Sequence, residues 1–263
     1  FLEFLDRICP TFDLALSQAH QKSLIAQGMK FFLSHQVASA RVGSAVEIVA
    51  KSGETETKFE GDAALVAIGR KPFTKDLGLE KVGIHLDSKG FIPIDASFRS
   101  QVPSIFAIGD IVNGPMLAHK ASEEGVAVAE LLAGKSPTID YATIPSVAYT
   151  SPEVASVGFT EEELKAKKIP YKSGQFPFKA NSRARCTGET DGFVKVLVEE
   201  PTKKLLGVHI IGAHASELIA EAVLALKLRL SALDVADACH AHPTLSEALK
   251  EAALAATKGA LHL

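Results

Sequence analysis

Residues 239–256, CHAHPTLSEALKEAALAA, place His242 directly before Pro243, with Glu247 close behind at the start of a helical period. Proline fixes its own φ and biases the preceding residue to extended geometry, so His242 is presented on a stiff stem. Thr244 and Glu247 have the S/T-x-x-E spacing of a capping box. Two chemistries fit these residue types. In one, Thr244 and Glu247 only cap the helix, and His242 is an ordinary surface or packed imidazole. In the other, Glu247 turns to the ring and fixes the tautomer through Nδ1, leaving Nε2 as a general base. His240 could share that role, although it lacks the proline stem.

Asp110 is the second candidate. It ends the apolar run IFAIGD and precedes a helix expected from Met116 to Leu132, stopped by Gly134. The free N–H groups of such a helix could face an anion or an electron-rich ring while the acid holds a hydroxyl. The alternative is that Asp110 satisfies only its own turn. No G-x-S-x-G, G-x-G-x-x-G or G-x-x-x-x-G-K-[ST] motif occurs. His35, His85, His209 and His214 lack metal-ligand spacing and are taken as structural or surface residues, so no metal is expected. Cys9, Cys186 and Cys239 are odd in number and far apart, which predicts free, mostly buried thiols and a reducing compartment.

The elements that must position these groups follow from periodicity. FLEFLDR reads as a strand end running into a loop. Residues 13–27 have helical spacing, with Asp13 as cap and Gly28 as stop. FFLSHQVA, VEIVAK and TKFEG read as strands, with SGET as a hairpin turn. DAALVAIG reads as a buried strand opening into GRKPFTKDLGLE, and IFAIGD as a second such strand. Beyond KSPTIDYATIP, a candidate linker, the short strands AYT, VASVG, FVKVLVE and LLGVHIIG alternate with helices near 160–168, 214–229 and 244–256. That mixture predicts an α+β domain.

The 263 residues are 47% hydrophobic and 22% charged with a formal charge of −3, enough for a substantial core and two domains or parts of domains. Mixed charge of this size gives no footprint for nucleic acid, and no apolar stretch is long enough for a membrane span. A small-molecule site is therefore expected.

The segments ALVAIGRKPFTKDLGLE, SIFAIGDIVNGPMLAHKASEEG, IPSVAYTSPEVASVGFTEEEL, NSRARCTGETDGFVKVL, GVHIIGAHASELIAEA and CHAHPTLSEALKEAALAA together span nearly the whole chain. Through them the sequence resembles the pyridine nucleotide-disulfide oxidoreductases, and within them the branch that oxidises dihydrolipoamide. The resemblance implies α/β plus α+β architecture: a partial FAD/NAD(P)-binding Rossmann-like domain followed by an α+β dimerisation (interface) domain. It divides the chain into the later part of the NAD domain (1–69), the returning segment of the FAD domain (70–140) and the interface domain (141–263).

The resemblance also implies FAD and NAD as cofactors, with His242 as the base that takes the thiol proton and Glu247 as its orienter. Asp110 matches the position that binds the ribityl chain of FAD, and Met116, Leu117, Ala118 and His119 match the helix start under the flavin. Glu3, Val37 and Gly69 fall at NAD-contact positions. A homodimer through residues after Tyr141 is implied, with the lipoyl domain of a 2-oxo acid dehydrogenase acyltransferase as partner, in the cytoplasm or the mitochondrial matrix. The family's C-x-x-x-x-C redox pair and both Gly-rich nucleotide loops are missing, so the chain is expected to be a C-terminal portion that cannot turn over alone. A glutathione- or mercuric-reductase-like enzyme, a transhydrogenase without the histidine base, and a non-catalytic dimerisation module are the alternatives.

Overall fold

The computed structural model describes residues 1–263, which form two compact units, one of residues 1–64 with 142–263 and one of residues 65–141. In the first unit, helix α1 (Leu14–Ala26) starts where Asp13 Oδ1 accepts Ala15 N–H at 3.0 Å and ends before Gly28, whose φ of 95° a helix cannot continue. Strands β1 (Gln36–Val42), β2 (Val46–Ser52) and β3 (Thr55–Gly61) form an antiparallel meander. Ser52 pairs with Thr55 across the loop Gly53-Glu54, as the SGET reading anticipates. Leu2 makes a single parallel bridge to Phe32.

The same unit contains a five-stranded antiparallel sheet of β4 (Ser146–Ala148), β5 (Glu153–Gly158), β6 (Tyr171–Pro177), β7 (Phe193–Glu199) and β8 (Leu205–Gly212), ordered β4-β5-β8-β7-β6. Side chains alternate across a strand, and here each set has its own cover. Ala155, Val157, Val194, Val196, Val208 and Ile210 join the main core with α5 (Ala215–Lys227), α6 (Ala232–Asp237) and α7 (Glu247–Ala255). Val154, Phe193 and Ile211 pack instead with Phe12 and Leu16 at the start of α1. Helices on both faces explain why FVKVLVE and LLGVHIIG are nearly continuous apolar runs.

Helices α3 (Glu161–Lys167) and α4 (Ser182–Thr187) complete the unit, with Thr160 and Glu163 forming a full capping box on α3. Helices α4 and α6 are not apparent from the sequence periodicity because each has only six residues, and β6 is not because Gly174 takes one of its two buried positions in a mostly polar run, YKSGQFP. At Gly174 of β6, an added Cβ would lie 2.2 Å from Ala256 N and 2.4 Å from Ala252 O. Only glycine admits α7 this close.

In the second unit, Asp87 and Asp95 each accept two backbone N–H groups through Oδ1, closing tight turns around a small core of Ile84, Ile92, Ala107 and Val112. One long helix, α2 (Ala118–Leu132), follows a 3₁₀ turn at Gly109–Ile111 and stops before Gly134. No helix of the chain is long and apolar enough to cross a membrane.

Three expectations are corrected. Residues 63–69 form no strand; Leu65 and Ile68 are 93% and 94% exposed, because no strand pairs with this run and an unpaired apolar segment has no sheet to enter. IFAIGD makes only a single bridge, Phe106 to Arg99, before the 3₁₀ turn. The cysteines are not mostly buried: Cys186 and Cys239 are exposed and Cys9 is half-buried, since they sit in loops or on short helices outside the core.

Candidate functional site

His242 lies in the loop between α6 and α7. Its Nδ1 is 2.9 Å from Glu247 Oε1, and Glu247 Oε2 accepts the Thr244 N–H at 2.8 Å. Half of the capping box therefore forms. The other half does not: the Thr244 hydroxyl donates to Ala241 O at 2.7 Å, and α7 begins later, after Ser246. One carboxylate thus serves both roles that the sequence left open.

Burial works to raise the Glu247 pKa, but the Thr244 N–H and the His242 ring outweigh it and hold the carboxyl below its ordinary value. An ionised carboxylate only accepts hydrogen bonds, so Nδ1 carries a proton, and in the neutral ring the lone pair is then on Nε2. The His242 side chain is 66% exposed, against 23% for Glu247. The imidazole is open to a reactant, while its orienter is sheltered.

His240 is arranged differently. Its Nε2 contacts Glu221 Oε1 of α5 at 2.9 Å, its Nδ1 contacts Ala238 O at 3.1 Å, and its side chain is buried. Both nitrogens face acceptors, so neither is available as a base. Glu221 carries no signal in the local sequence around His240; it comes from a different helix.

In the second unit, Asp110 sits within the 3₁₀ turn and is half-buried. Met116 and Leu117 lead into α2, Ala118 and His119 begin it, and no side chain caps its N-terminus. A buried network fixes this corner. Glu124 Oε2 accepts Gly109 N–H at 2.7 Å, Lys120 Nζ donates to Gly109 O at 3.0 Å, and Lys120 pairs with Glu124 at 3.1 Å. Tyr141 Oη donates to Glu124 Oε1 at 2.8 Å. Gly109 has a φ of 75°, and an added Cβ would press on Ala121 at 3.3 Å. The Lys120/Glu124 pair has i,i+4 spacing on the helix, a signal the sequence reading passed over.

This corner fits a flavin nucleotide: an accessible carboxylate for hydroxyls stands beside an uncapped helix start of the kind that favours an electron-rich ring. Of the three residues expected to contact NAD, Glu3 Oε1 accepts Leu5 N–H at 2.9 Å, Val37 is half exposed on β1, and Gly69 has a φ of 111°.

A second buried cluster lies between α1 and the five-stranded sheet. Lys195 Nζ pairs with Asp13 Oδ1 at 2.8 Å and with Glu161 Oε2, and Asp13 Oδ2 accepts Glu161 N–H at 3.0 Å. His209, opposite Lys195 in the β7–β8 register, is fully buried; its Nε2 meets Phe159 O and its Nδ1 has no partner. Hydrogen bonds from Lys195 and Tyr171 bring Glu161 down to about 2.

The family model of the pyridine nucleotide-disulphide oxidoreductases matches residues 1–125, and that of their dimerisation domain matches residues 144–253. The chain belongs to this family. Curated relatives agree: dihydrolipoyl dehydrogenase of Caenorhabditis elegans mitochondria is 51% identical over 94% of this chain and 50% of its own length. That of Homo sapiens mitochondria is 51% identical over 94% and 49%, and that of Cupriavidus necator 47% identical over 100% and 56%. The chain spans about half the length of the curated relatives it matches. Among solved structures, LpdA from Mycobacterium tuberculosis superposes with a TM-score of 0.87 at 28% identity, over 96% of this chain and 55% of that one. The Cu(II) complex of the HOCl-induced flavoprotein disulfide reductase RclA from Escherichia coli gives 0.88 at 25%, over 96% and 57%. For a pyridine nucleotide-disulphide oxidoreductase, the five-stranded sheet with α5 to α7 is thus the dimerisation domain, and it carries His242.

Proposed function

We propose that this chain supplies the general base and part of the cofactor sites of a dihydrolipoyl dehydrogenase, the enzyme that oxidises dihydrolipoamide with reduction of NAD. The observation that carries this reading is the exposed His242 ring held through Nδ1 by an ionised Glu247, in a chain that matches about half the length of relatives bearing that name. A dihydrolipoamide thiol gives its proton to His242 Nε2 and becomes the thiolate that can attack a disulfide. The imidazolium so formed is stabilised by Glu247, which remains ionised. Glu247 acts also through Thr244, keeping ring and stem in one orientation during the transfer.

Asp110 and the start of α2 would hold FAD, and Glu3, Val37 and Gly69 would contact NAD; bound flavin would supply the electron relay between thiol and nicotinamide. Cys9, Cys186 and Cys239 are free, so the redox disulfide of such an enzyme would come from outside these residues, and the isolated chain would be inactive. The dimerisation domain pairs two copies, and the partner is the lipoyl domain of a 2-oxo acid dehydrogenase acyltransferase. The compartment is the cytoplasm or the mitochondrial matrix.

The test is His242→Gln in the complete flavin-loaded enzyme. Dihydrolipoamide oxidation should slow by about 10²- to 10⁴-fold, the usual worth of a general base. An unchanged rate would remove His242 from the chemistry.

A further inference from the structure

The ring of His242 is mostly exposed, and its one polar contact is Glu247. Its orientation therefore depends on the stem, and the stem is held at a point that the proposed chemistry does not use. Asn181 is 3% exposed and caps α4: its Oδ1 accepts Ala184 N–H at 3.0 Å. Its Nδ2 donates to Thr244 O at 3.0 Å, across a sequence separation of 63 residues. The amide orientation is fixed by chemistry, because a backbone N–H on one side demands oxygen there and leaves the NH₂ group to face the carbonyl.

We infer that Asn181 is a positioning residue for His242, acting through the Thr244 peptide; this deepens the functional reading above and rests on it. The peptides on both sides of Thr244 are held, its N–H by Glu247 and its carbonyl by Asn181. Pro243 transmits that fixed plane to His242. The other bonds of the loop hold it elsewhere: Thr244 Oγ1 to Ala241 O within the loop, Lys250 Nζ of α7 to Ala238 O, and His240 Nε2 to Glu221 Oε1 of α5. Asn181 alone ties the stem to the β6–α4 segment. That segment also fixes the bed of α7, through the close approach at Gly174. The base is thus referenced to the sheet and not only to its own helix. A shift on the order of 1 Å in a reacting group can cost about 10²-fold in rate.

The experiment uses the complete flavin-loaded enzyme with Asn181→Asp, which keeps the cap acceptor but loses the donor, and Asn181→Ser, which cannot span to Thr244. Two activities are compared per bound flavin: flavin reduction by dihydrolipoamide, and NADH oxidation by ferricyanide, which needs no thiol deprotonation. The inference expects the first to fall by about 10-fold or more in both variants while the second stays within about twofold. It also expects the pH profile of the thiol half-reaction to change. Parallel loss of both activities, loss of neither, or failure of both variants to bind flavin would make Asn181 structural only and overturn the inference. His242→Gln in parallel separates the two ideas: if it leaves thiol oxidation intact, the base assignment fails, whatever Asn181 does.

Discussion

Glu247 faces His242 Nδ1 with one carboxylate oxygen at 2.9 Å and the Thr244 N–H with the other at 2.8 Å. The dyad and the helix entry therefore share one side chain. Glu247→Gln keeps an acceptor for only one of the two donors and removes the charge that stabilises an imidazolium. The complete enzyme should lose about 10- to 100-fold in dihydrolipoamide turnover. Thermal stability should change by no more than about 1 kcal/mol, the typical worth of one capping interaction. A stability loss without a rate defect would return Glu247 to a purely capping role.

Lys195 is the only cation between Asp13 and Glu161 in the buried cluster, so Lys195→Met strands a fully buried carboxylate. Urea unfolding of the chain should show a loss of about 3–5 kcal/mol, partly recovered by adding Asp13→Asn, which retains the helix cap.

The same cluster sets an acid limit. Glu161 is brought from 4.5 to about 2, so its ion pairing stabilises the fold fully above about 4.5 and is lost as pH falls toward about 2. Urea midpoints measured between those limits should drop with pH in the native chain. In Glu161→Gln the drop should be smaller; an equal slope would exclude this pair as the source.

Tyr141 gives the opposite limb. Burial, and then its hydrogen bond to Glu124, pushes the phenol up to about 12, so the contact is intact below about 10 and is lost as pH rises through about 12. Tyr171 is also raised, by burial and its bond to Glu161, so ultraviolet titration should show a step near 12 that belongs to Tyr141, and Tyr141→Phe should remove that step.

Gly174→Ala places a Cβ against backbone atoms of α7 that cannot turn aside. Overpacking of this kind costs about 1–3 kcal/mol or more. Because α7 begins at Glu247, the complete enzyme should lose thiol oxidation together with stability. Calorimetry and turnover on the same sample would reveal a stable, fully active variant if the contact is unimportant.

What the sequence by itself determined is local. The H-P-T-x-x-E spacing placed His242, Thr244 and Glu247 within reach of one another, Asp13 and Gly28 marked the ends of α1, and SGET marked a two-residue hairpin loop, because those bonds close within a few residues. Tertiary structure decided the rest. Only the arrival of Glu221 on α5 separates His240, with both nitrogens engaged, from His242, with Nε2 open. The lysine in FVKVLVE looks like an interruption until alternation turns it to the α1 face and Asp13 meets it. The run at residues 63–69 has the composition of a buried strand and none of its burial, since a strand exists only where a neighbour completes its hydrogen bonds. Short-range spacing encodes local bonds; which distant groups meet depends on strand order and helix faces, and no window of sequence contains those.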